Sequence, residues 1–111
     1  MSNLIHVSEE RFEEDVLNAP VPVLLDFTAV WCGPCKALLP ALEDVATAFA
    51  GRAKVVKIDI DAQPGLASRY GVRGVPTLVY LQGGEEQERL QGVQTRSKLT
   101  AKLETYIAGA R

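Results

Sequence analysis

The chain predicts an α/β fold with a mixed central sheet of about five strands flanked by about four helices. Three observations lead there. Val21 to Phe27 is a nearly continuous apolar run, the pattern of a strand covered on both faces. Apolar stretches of strand and helix period then alternate along the chain, so successive strands pair in parallel through helical crossovers. Later, Gln82-Gly83-Gly84-Glu85 joins two extended runs closely enough for an antiparallel hairpin, which makes the sheet mixed.

The elements follow in order. Leu4-Ile5-His6-Val7 reads as a short strand. Ser8 can cap a helix whose first turn holds Glu9 and Glu10 and whose apolar face is Phe12, Val16 and Leu17; Pro20 and Pro22 end it. After the Val21–Phe27 strand, Leu38, Leu42, Val45 and Phe49 mark one side of a longer helix that stops at Gly51, with a kink expected at Pro40. Lys54 to Ile60 alternates as a strand. A short helix covers Leu66 to Tyr70 and ends at Gly71. Thr77 to Leu81 is a strand, and a shorter one follows the turn near Arg89. A last helix starts near Thr95 or Ser97 and buries Leu99, Leu103, Tyr106 and Ile107.

Composition sets the bounds. With 111 residues, 47% of them hydrophobic, the chain suits one domain over 1–111 and is too apolar for a disordered polymer. No apolar run approaches the roughly 20 residues of a membrane helix. Ser8, Glu9 and Glu10 break the early apolar stretch, so no leader is expected and the cytoplasm is the expected compartment. A formal charge of −2 gives no reason to expect nucleic acid as a partner. The charge is uneven: residues 1–50 carry 2 basic and 8 acidic groups, residues 51–111 carry 10 and 6.

The only two cysteines lie in Cys32-Gly33-Pro34-Cys35, at the carboxyl end of the apolar strand. A bond between them closes a tiny loop and restrains little of the unfolded chain, so its value is chemical. If Pro34 opens a helix, Cys32 sits at its start and Cys35 in its first turn, with Cβ atoms about 5–6 Å apart. Free amides and the helix dipole favour an anion at Cys32, and the thiolate is the nucleophile of disulfide exchange. Cys35, expected to be the less exposed, then resolves the mixed disulfide. A half zinc site is the rival reading, but His6 is the one remaining soft ligand and is distant in sequence.

Trp31-Cys32-Gly33-Pro34-Cys35-Lys36 resembles the active-site signature of the thioredoxin family. The resemblance runs over almost the whole chain: Asp26-Phe27 before the signature, Val75-Pro76-Thr77 after a helix, Gly84 and Gly92 in later turns. It implies the thioredoxin fold and a monomeric electron carrier that reduces protein disulfides. Such a carrier binds no cofactor or metal and is recharged by thioredoxin reductase, with NADPH as the distant donor. Gly33-Pro34 argues for a reductant, since oxidising or isomerising members usually carry a histidine there; a non-catalytic binding or chaperone module is the other alternative. The chain departs from the family at Thr28, where an aromatic residue, commonly Trp, is usual. That departure bears on the packing behind the cysteine helix, and through it on redox potential and partner preference.

Four further expectations concern the site. Asp26, in Leu24-Leu25-Asp26-Phe27, resists ionisation if buried, and the resemblance makes it the proton acceptor for Cys35. Lys57, between Val56 and Ile58, is by default a solvated strand lysine; the catalytic reading passes its stem through the core to bring the ammonium near Asp26. X–Pro bonds are mostly trans, but the resemblance implies a cis Val75–Pro76 bond that exposes the Val75 backbone to an extended substrate. Trp31, Gly33, Pro34, Val75, Pro76, Gly92 and Val93 would then form a shallow apolar substrate-binding surface beside Cys32.

Overall fold

The structure is a computed structural model that describes residues 3–109; the expected domain over 1–111 runs past these at both ends. Its strands are β1 (Ile5–His6), β2 (Val23–Thr28), β3 (Lys54–Asp59), β4 (Thr77–Gln82) and β5 (Glu85–Gln91). They form one sheet in the order β1-β3-β2-β4-β5. β3 pairs in parallel with β1 and β2, whereas β4 is antiparallel to both β2 and β5, so the sheet is mixed as predicted.

Side chains alternate across the sheet and so build two cores. On one face, Leu24, Val55, Leu78 and Tyr80 meet Leu38, Leu42 and Val45 of α1 (Gly33–Ala48) and Leu99 and Leu103 of α3 (Arg96–Gly109). On the other, Leu25, Phe27, Val56 and Val79 meet Phe12 and Val16 of the N-terminal segment and Leu66 of α2 (Pro64–Arg69). β2 is therefore buried along nearly its whole length, which is why its sequence is apolar without alternation. α1 continues through Pro40, which lies on its exposed side. At the start of α3, the Thr95 hydroxyl accepts the Lys98 N–H at 3.1 Å, so Thr95 and not Ser97 caps it.

Two expectations are corrected. The first helix is not a regular α-helix: Glu9–Arg11 is a 3₁₀ turn and Glu13–Leu17 a π-helical turn, with the Asn18 N–H on the Glu13 carbonyl at 2.9 Å. The strand near Arg89 is not the shorter hairpin arm, since β5 has seven residues and β4 six. Its side chains are mostly polar because it is an edge, and the ladder to β4 rather than an apolar pattern holds it.

Candidate active site

After β2, the chain turns once, with the Cys32 N–H on the Ala29 carbonyl at 3.2 Å, and enters α1. Cys32 is the N-cap of α1, Gly33 its first residue, Pro34 its second and Cys35 its third. Pro34 thus sits where a missing N–H costs nothing, one position later than expected. The cysteines are joined, with Cα atoms 5.3 Å apart. The Cys35 backbone N–H donates to Cys32 Sγ at 3.1 Å, and the Val75 carbonyl lies 3.8 Å from the same sulfur. When the bond opens, that amide and the positive end of a 16-residue helix face the Cys32 sulfur and favour its thiolate. Exposure does not separate the pair as expected: Cys32 is 4% exposed and Cys35 is 5%. In the closed form each sulfur shields the other, with Ala29, Ile60 and Val75 around them; Cys32 is distinguished by its place at the helix start.

Asp26 and Lys57 are register partners across β2 and β3, on the face that packs against α1. Asp26 is 2% exposed, and burial pushes its carboxyl up to about 7 against the opposing pull of the Lys57 cation. Its Oδ1 atom accepts no hydrogen bond. Lys57 is half-buried, neither fully solvated nor sealed in the core.

The Val75–Pro76 bond is cis. Pro76 is buried, and its carbonyl accepts the Gly92 N–H at 3.0 Å, which ties the Gly92–Val93 loop to the proline loop. Gly92 has φ +84°, a conformation side-chain-bearing residues rarely adopt. Trp31 (66% exposed) and Val93 (51% exposed) stand out from the surface, as do Gly33 and Pro34. Sequence reasoning missed two neighbours. Val30 is exposed beside Trp31, and the Trp31 Nε1–H donates to Asp61 Oδ2 at 2.8 Å. Asp61 is held by Asp59, whose Oδ1 accepts the N–H groups of Asp61 and Ala62. An acidic residue just after β3 was the only signal, and no local pattern tied it to Trp31.

Behind the cysteines, Thr28, Val30, Cys35, Lys36, Leu39 and Lys57 are among the walls of an open cleft of about 300 Å³. Thr28, where the family usually carries an aromatic residue, lies in the lining of this cleft. No cluster of His, Cys, Asp or Glu among the described residues is arranged to hold a metal ion.

Comparison with known proteins agrees with this geometry. The thioredoxin family model matches residues 3–105. Thioredoxin of Synechocystis sp. is 40% identical over 107 residues, 96% of this chain and 100% of the relative. Thioredoxin of Allochromatium vinosum is 43% identical over 103 residues, 93% of this chain and 96% of its own. Among solved structures, a mutant thioredoxin from Halobacterium salinarum superposes with a TM-score of 0.85 at 42% identity, covering 94% of this chain and 90% of that one. A bonded cysteine pair at a helix start, beside a cis-proline loop and within a matching sheet, makes this chain a member of the thioredoxin family.

Proposed function

We propose that this protein is a cytoplasmic electron carrier, a single thioredoxin domain that reduces disulfide-bearing proteins and is recharged by a thioredoxin reductase at the expense of NADPH. The observation that carries the chemistry is the Cys35 N–H directed at Cys32 Sγ at the mouth of α1. In the dithiol form, the Cys32 thiolate attacks one sulfur of the substrate disulfide and releases the other as a thiolate, leaving a mixed disulfide. Asp26 takes the proton from Cys35, with Lys57 setting the pH at which it does so. The Cys35 thiolate then attacks the Cys32 sulfur and closes the Cys32–Cys35 bond, and the second substrate sulfur leaves as a thiolate that is neutralised by the proton Asp26 gives up. Two electrons have passed to the substrate, and the reductase returns two with a proton. Trp31, Gly33, Pro34, Val75, Pro76, Gly92 and Val93 supply the shallow docking surface, and the Val75 backbone supports pairing with an extended substrate segment.

The test is NADPH-coupled turnover with a thioredoxin reductase and a disulfide protein. Turnover is expected with the parent chain, and Cys32→Ser reduces it to background. Cys35→Ser is expected to stop after the first attack and accumulate the mixed disulfide on Cys32, visible by mass spectrometry. A turnover that persists without Cys32, or a Cys35→Ser protein that never traps substrate, overturns the assignment.

A further inference from the structure

The cleft behind the cysteines shares Cys35 and Lys57 with the steps above, but the rest of its lining takes no part in them. Its floor is the α1-facing side of β2 and β3, where His6, Lys57 and Asp26 form one cross-strand row and Thr28 and Asp59 form the next. Its walls divide by chemistry. The Thr28 methyl group, Ala29, Val30 and Leu39 are apolar. Lys36 and Lys57 bring two ammonium groups. The one lining carboxylate, Asp59, already has Oδ1 engaged by the N–H groups of Asp61 and Ala62. The balance of charge is therefore positive. Asp26, the acid next in the row, is held largely uncharged below about pH 7 by burial.

We propose that this cleft binds a small amphipathic carboxylate, its anion between the Lys36 and Lys57 ammonium groups and its apolar body against Thr28, Val30 and Leu39. The cavity of about 300 Å³ falls at the small end of ligand sites, which selects a compact arylacetate-sized molecule over a nucleotide or a peptide. Cys35 lines the cleft, whereas the Cys32 sulfur faces Val75. An occupant therefore touches the resolving cysteine and leaves the docking surface free. Binding itself does not depend on the redox reading; only its consequence for turnover rests on it.

The probe is phenylacetate, titrated into the oxidised protein and followed by backbone amide NMR. About ten non-hydrogen atoms at ordinary ligand efficiency correspond to a Kd on the order of 1–10 mM. Saturable shifts are expected at Thr28, Val30, Lys36 and Leu39. Phenylacetamide, of the same shape without the charge, is expected to bind at least several-fold more weakly, as is phenylacetate to Lys36→Gln. Thr28→Trp fills the cleft and is expected to abolish saturation; should that variant fail to fold, Leu39→Trp closes the same space from α1. No saturation at about ten times the expected Kd overturns the proposal. So does equal affinity for the amide, or binding that survives closure of the cleft. Loss of reductase turnover in the coupled assay would leave these binding results standing, so the two readings fail separately.

Discussion

Asp26 lies on a buried strand, and its folded carboxyl titrates at about 7, whereas an unfolded aspartate titrates near 3.9. Between these values the native chain holds a proton that the unfolded chain has released, so stability falls as pH rises from about 4 to about 7 and stays low above that. Three units of displacement correspond to about 4 kcal/mol. Asp26→Asn is expected to remove the slope and raise stability at about pH 8 by roughly 2–4 kcal/mol, with little change at about pH 4, as urea unfolding at the two pH values will measure. Lys57→Met removes the cation that opposes burial and is expected to move the Asp26 titration upward, read from its carboxyl carbon by NMR. The sequence made Asp26 suspect because an acid interrupts an apolar run. It left Lys57 open between two readings, because only the parallel register of β2 with β3 sets the two side by side. The cleft was still less visible: Thr28 marked altered packing, but whether neighbouring side chains collapse into the space or leave it open depends on α1, Lys36 and Leu39 together.

The hairpin between β4 and β5 turns on two glycines with different demands. Gly83 has φ +61° and open space where a Cβ would stand, whereas Gly84 has φ +80° and would place a Cβ 2.8 Å from the Leu17 carbonyl oxygen. Gly83→Ala is expected to cost about 1 kcal/mol for the backbone conformation alone. Gly84→Ala is expected to cost roughly 2–4 kcal/mol, because backbone at the end of the π-helical turn must also move; thermal unfolding of the two variants compares them. Where sequence and structure part at this scale, the reason is the same kind of long-range contact. Phe12 and Val16 correctly marked the inward side of the first helical segment, yet apolar spacing specifies a face and not the hydrogen-bond step, so the 3₁₀ and π turns went unseen. β5 was read as short because Glu85, Glu86, Gln87 and Glu88 are poor strand formers; pairing with β4 overrides that preference.

Seen whole, the molecule is a sheet between two apolar cores that share only its backbone. Phe12 belongs to one and Leu42 to the other, and both are fully buried. Leu42→Ala is expected to cost about 2–5 kcal/mol and Phe12→Leu roughly 1–2 kcal/mol. Because no partner is shared, the double variant should sum the two within about 0.5 kcal/mol, a result that denaturant titration checks. The outline of this arrangement was legible because each layer needs its own apolar period. The sheet ends on one side in a strand of only two residues and on the other in a strand studded with Glu85, Glu86, Glu88 and Arg89. A short border and a charged one give a second copy nothing to zip onto. A sheet bordered in this way avoids stacking edge to edge into fibres of its own kind.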